Sequence, residues 1–140
     1  MKAIVILLLR FALGLAFLSA VADRFGLWGP PGSAIVAWGN MENFLGYTST
    51  VTFGATGILL KILGWTATIL EAVLGIFLII GFKMKSTAIL SGLLLLLFGI
   101  GMVCNLPAKT VLDFSVFSAC FGAFLLAFQP RIKFSVDYFL

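Results

Sequence analysis

Long apolar runs broken by short polar punctuation dominate the chain. Runs of about eighteen or more apolar residues are the mark of a membrane-crossing helix, and about twenty residues at 1.5 Å each cross the hydrocarbon core. On that pattern four spans are predicted, over residues 3–22, 64–82, 86–104 and 112–129. Only "KMK" at 83–85 separates the second span from the third, so these two must form a tight antiparallel hairpin. Pro107 stops the third span and marks the turn into the fourth. Residues 23–63 form a long first loop. Its opening "DRFGLWGPPGS" is rich in Gly and Pro and predicts irregular chain. "SAIVAWGNMENFLGYTSTVT", from Ser33, is mildly amphipathic and carries Trp38, Phe44 and Tyr47, which predicts a short helix lying in the membrane interface. Lys61 places the stretch before the second span in the headgroup region.

Composition sharpens this picture. The 140 residues are 62% hydrophobic and 10% charged, against about 45–50% and about 25% in soluble domains. The expected fold class is all-α: a polytopic membrane protein, a four-helix transmembrane bundle with a long extracytoplasmic first loop carrying an interfacial helix. Residues 1–140 form one transmembrane domain, with no room for a separate soluble one. The N-terminus has features of a signal peptide in Lys2, an apolar core and Ala20-Val21-Ala22. Arg10 interrupts that core and the run is long, so an uncleaved first helix is expected.

The net charge of +4 points to orientation rather than to nucleic acid, because there is no basic stripe with interleaved aromatics. Lys2, Lys83, Lys85, Arg131 and Lys133 on one side outnumber Arg24, Lys61 and Lys109 on the other. The excess predicts cytoplasmic termini and an outer first loop. The chain has no histidine, which removes the usual haem and metal ligand and the usual general base. No metal site is expected, no cofactor motif is evident, and no catalytic set of nucleophile and base stands out. Cys104 and Cys120 differ in depth by about 10 Å, too far for a disulfide. Both are expected to be small packing residues.

The charges inside the spans are the candidate chemistry. Arg10 falls about 4 Å to the cytoplasmic side of the middle of the first span, and Glu71 about 3 Å to the outer side in the second. An unpaired charge at that depth costs at least about 2.5–3.5 kcal/mol, so Arg10 and Glu71 are expected to face each other. The pair either sets helix register alone, or lines a polar cavity as a proton relay or a head-group anchor. Asp23 and Arg24 end the first helix, either as a solvated helix end or, with Glu42 from the loop, closing the outer mouth. Asp113 stands before the fourth helix and is expected to cap it. Trp65 and Phe17 are the candidate ligand wall.

The run "LLLRFALGLAFLSAVADRFGLWG" resembles the first helix of the DoxX-like membrane proteins, through Arg10, Gly14, Phe17 and Leu18. "ATILEAVLGIFLIIGFKMKSTAILSGLLLLLF" resembles their second hairpin, through Glu71, Gly75, Gly81, Phe82, Lys83 and Lys85. "LDFSVFSACFGAFLLA" resembles their last helix, through Asp113, Ser115 and Phe117. The resemblance covers nearly the whole chain. It implies a four-helix protein of the bacterial inner membrane. Some of the family resemble the quinone-reducing subunit of a thiosulfate:quinone oxidoreductase, and others associate with thiol-redox enzymes. A subunit of a redox-linked, quinone-interacting system is therefore expected, and the missing histidines leave it no metal or haem centre of its own. The chain departs from a direct thiol-redox role, having neither CxxC nor His. Quinone contact would fall to aromatic walls, Glu71 and Arg10. Two further readings stand beside it: a non-catalytic accessory subunit of a larger membrane complex, and a small lipid- or solute-binding membrane protein. The expected partners are membrane lipid and either another protein subunit, membrane-bound or peripheral, or further copies of the chain.

Overall fold

The computed structural model describes residues 1–130 and 135–138. Among these, every regular element is helical: α1 (Lys2–Arg24), α2 (Met41–Val51), α3 (Gly57–Ile80), α4 (Met84–Asn105), α5 (Ala108–Asp113), α6 (Val116–Ala127) and a 3-10 turn at Val136–Tyr138. Among the described residues, α1, α3 and α4 are long and apolar enough to cross a membrane, whereas α6 is a shorter apolar helix. Arg131 and Lys133, used above for orientation, lie outside the described residues.

The helices run antiparallel in two pairs, α1 with α3 and α4 with α6, and α3 joins the pairs through its short link to α4. One core cluster draws on all four, with Leu13, Phe17, Leu74, Leu78, Leu94, Ala123 and Leu126 at its centre. Polar side chains such as Arg10, Thr68, Glu71, Thr87 and Ser91 are buried. Large apolar ones such as Leu8, Leu15, Ile69, Ile76, Leu90 and Leu97 face outward. That distribution suits a bilayer, where apolar side chains gain nothing by turning inward and polar ones do.

Several boundaries differ from the sequence reading. α3 begins at Gly57, not at 64, so Lys61 lies within the helix. Of the stretch from Ser33 expected to form an interfacial helix, only Met41–Val51 is helical. Its start is set by Asn40, whose Oδ1 accepts from the Asn43 N–H at 2.8 Å, and residues 33–40 are irregular. The expected fourth helix over 112–129 is broken. α5 ends at Asp113, and Ser115 turns to φ 52° before α6 starts. Asp113 therefore does not cap the last helix. It closes α5, exposed, paired with Lys109 one turn back.

Gly81 ends α3 in the left-handed conformation at φ 75°. The N–H groups of Gly81 and Phe82 return to the Phe77 carbonyl at 2.9 and 3.0 Å, the closing geometry that glycine permits. α4 then starts under a remote cap. The two oxygens of Asp137 accept from the Lys83 and Met84 N–H groups, each at 2.6 Å. Asp137→Ala is expected to cost about 0.5–2 kcal/mol, the usual range for a lost cap. A denaturant or thermal titration in detergent measures it, and Asp137→Asn should recover part of the loss.

Candidate functional site

The buried charges gather where the C-terminal end of α1 meets the middle of α3. Arg24, the last residue of α1, is 2% exposed and Glu71 3%. The Arg24 Nη2 lies 2.5 Å from Glu71 Oε2, an ion pair at contact distance but not an aligned hydrogen bond. The other terminal nitrogen, Nη1, donates to Thr68 Oγ1 at 2.8 Å. Thr68 passes the bond on to the Gly64 carbonyl, also at 2.8 Å. Thr68 and Glu71 stand three apart on α3 and so share one face.

Over this pair sits an aromatic lid. The guanidinium carbon of Arg24 is 3.6 Å from the Phe44 ring centre and 5.3 Å from that of Trp38, close enough for the cation–π attraction that strengthens when water is excluded. Trp38 meets Phe44 edge-on at 5.1 Å and Tyr47 at 5.7 Å. Burial raises the Tyr47 phenol above its ordinary pKa. The lid is held by polar bonds on both sides: the Trp38 N–H donates to Asp23 Oδ2 at 2.7 Å, and Asn43 Nδ2 donates to the Trp38 carbonyl at 2.8 Å.

The expected pairing of Arg10 with Glu71 is corrected here. Arg10 instead reaches the C-terminal end of α3, donating from Nε to the Leu78 carbonyl at 3.0 Å and from Nη2 to the Ile79 carbonyl at 2.9 Å. Those carbonyls close a helix and carry its negative dipole end, and Asp137 adds negative charge nearby. The reason is register. α1 and α3 touch backbone to backbone at Gly14 and Gly75, which sets Arg10 beside Ile79 and puts Glu71 about 12 Å away along the axis. Centring each predicted span in the bilayer misplaced the helices by about one turn, 5.4 Å.

The remaining candidates divide. Asp23 and Arg24 do join Glu71 in one cluster, but the other two expected outer-mouth residues do not. Glu42 is exposed on α2 and Asp113 is remote on α5. Phe17 is packed in the core, whereas Trp65 faces outward and meets Phe25 at a tilt, ring centres 6.2 Å apart, so the two do not form a wall. Thr68, Phe44 and the lid position of Trp38 were not foreseen. A threonine three residues before the buried glutamate was the available signal for the first. Cys104 is exposed and Cys120 buried, with its Sγ 3.3 Å from the Gly92 carbonyl; both are free.

Chemically, the cluster holds two carboxylates and one guanidinium. Asp23 Oδ1, Glu71 Oε2 and Arg24 Nε are buried with no hydrogen-bond partner, so two acceptors and one donor remain to be met, with Oε2 at ion-pair distance from Arg24. Among the described residues no three His, Cys, Asp or Glu side chains come together as a metal site. Comparison with family models, with curated proteins and with solved structures returns no match.

Proposed function

We propose that the chain is a DoxX-like subunit of a redox-linked system in the bacterial inner membrane, with the Asp23–Arg24–Glu71 cluster as its polar site. The observation that carries this reading is a desolvated guanidinium–carboxylate pair under an aromatic lid. Such groups are expensive inside a bilayer and ordinarily mark a ligand or proton site. In this reading α1, α3 and α4 cross the membrane, and α5 with α6 together make the fourth crossing. Both termini are cytoplasmic and the α2 lid is outside. The basic residues flanking the spans and the sequence resemblance support that arrangement. A quinone suits the site chemically: its carbonyl oxygens accept from a guanidinium, and the hydroxyls of its reduced form donate to a carboxylate. The chain itself supplies binding and charge, while electrons come from a partner subunit.

Native mass spectrometry of the full chain, extracted gently from its own membrane, tests this. The expected result is a bound quinone or a stoichiometric redox partner, with the quinone lost in Glu71→Gln. A chain that carries neither, or a Glu71→Gln variant that keeps both ligand and membrane redox activity, overturns the reading.

A further inference from the structure

A second feature adjoins the cluster without belonging to the Arg24–Glu71 pair. A groove of about 530 Å³ runs between α1 and residues 28–38, within the range of about 300–1,000 Å³ typical of ligand sites. Its floor on α1 is Asp23, Ala20, Ser19 and Ala16. These residues follow the i, i−3, i−4, i−7 spacing of one helix face and descend about 10 Å from the helix end toward the bilayer centre. Trp28 and Trp38 form the upper walls. Each is pinned, Trp28 by its Nε1–H to the Ser19 carbonyl at 3.1 Å and Trp38 by its backbone N–H to Asp23. The loop behind them is tightly packed: a Cβ at Gly39 would lie 2.7 Å from the Pro31 nitrogen.

Asp23 is the groove's one charged group. It is 5% exposed, and while Oδ2 is held by Trp38, Oδ1 has no partner. The nearby cation, Arg24, makes its contact ion pair with Glu71 at 2.5 Å; it also feels the charge of Asp23 but makes no hydrogen bond to Asp23 Oδ1. The cluster Asp23, Arg24 and Glu71 therefore has one more carboxylate than it has cations. Its chemistry suits a positively charged hydrogen-bond donor at the upper end, beside Asp23, and an apolar chain along the small residues below.

We propose that this groove binds a membrane lipid with a primary ammonium head group, of the phosphatidylethanolamine class. The ammonium donates to Asp23 Oδ1 between the two tryptophan rings, where cation–π attraction adds to the charge. One acyl chain lies along Ala20, Ser19 and Ala16, where small side chains leave space for it. The lipid phosphate stays in the headgroup layer. A phosphatidylcholine head group has no N–H to donate and cannot make the central bond. This inference shares Asp23 with the polar site proposed above but needs neither Glu71 nor a quinone, so lipid retention tests it separately from the redox reading.

The test is lipid retention by the full chain, read by native mass spectrometry after reconstitution into nanodiscs. The discs mix phosphatidylglycerol with equal amounts of phosphatidylethanolamine and phosphatidylcholine. The expected result is preferential retention of phosphatidylethanolamine over phosphatidylcholine by about tenfold or more, as befits a charge-assisted bond. Asp23→Asn should abolish the preference, and so should Ala20→Leu, which fills the groove without touching the charge. Circular dichroism verifies that each variant is folded, and Ala20→Leu keeps the test open if Asp23→Asn does not fold. Equal retention of the two lipids overturns the proposal, as does preferred retention of phosphatidylglycerol. A preference that survives in a folded Asp23→Asn or Ala20→Leu variant overturns it too.

Discussion

Glu71→Ala is expected to lower the stability of the bundle by about 3–5 kcal/mol, the range for removing one partner of a buried ion pair. The loss comes less from the missing attraction than from what remains. Arg24 stays at the end of α1, 2% exposed, still bonded to Thr68 and still covered by Phe44, but without its contact ion pair and with only the unbonded Asp23 carboxylate near it. An unfolding titration in detergent reads the effect. A double-mutant cycle identifies the partner. Arg24→Met combined with Glu71→Met removes both charges and should recover much of the loss, because a well-packed apolar pair is often as stable as a buried ionic one. Arg10→Met combined with Glu71→Met should show coupling near zero, since Arg10 is bound to the Leu78 and Ile79 carbonyls instead. Coupling between Arg10 and Glu71 above about 1 kcal/mol would contradict the register described here.

The second large effect is expected at the crossing of α1 and α3. A Cβ at Gly14 would stand 2.8 Å from the Gly75 carbonyl oxygen and 2.7 Å from Ile79 Cγ1, and a Cβ at Gly75 would stand 3.0 Å from the Gly14 carbonyl oxygen. The side chain of Ile79 can yield, but the backbone cannot. Gly14→Val must push the helices apart, and overpacking of this kind costs about 1–3 kcal/mol. The displacement also lengthens the Arg10 bonds at one end of the crossing and the Arg24–Glu71 pair at the other, so the loss should fall at or above the top of that range. Gly122→Ala is the control. Its nearest contact would be Leu9 Cδ1 at 3.5 Å, ordinary packing distance, so it should be neutral or slightly stabilising, as alanine for glycine in a helix usually is. Comparable losses in the two variants would mean that the Gly14–Gly75 contact does not set the register.

The contrast between Arg10 and Arg24 shows how far sequence reasoning reaches. That Glu71 must turn inward and meet a cation follows from composition alone, because a lone carboxylate near the middle of an apolar helix is too costly in lipid. Which cation it meets depends on depth, and depth depends on where a helix begins. α3 runs back to Gly57 through residues that resemble an interfacial segment, and Lys61 disguised that continuation. An error of one turn moves a charge by about 5.4 Å, enough to exchange one arginine for another.

The chain by itself determined the helical class, three of its four predicted spans as long apolar helices, and the tight α3–α4 link, together with the stop at Pro107. Each follows from local pattern: long apolar runs, a short polar break and residues that cannot continue a helix. It also singled out Arg10, Asp23, Arg24 and Glu71 as the charges needing an explanation. The tertiary structure alone decided that Arg24 and not Arg10 answers Glu71. It also decided that Phe44 and Trp38 roof the pair, and that Asp137 caps a helix 53 residues earlier in the chain. The break at Ser115 likewise emerged only there. These are decisions of register and long-range contact, set by close backbone approach at Gly14 and Gly75. Hydrophobic periodicity carries the face of a helix but not its height against a neighbour.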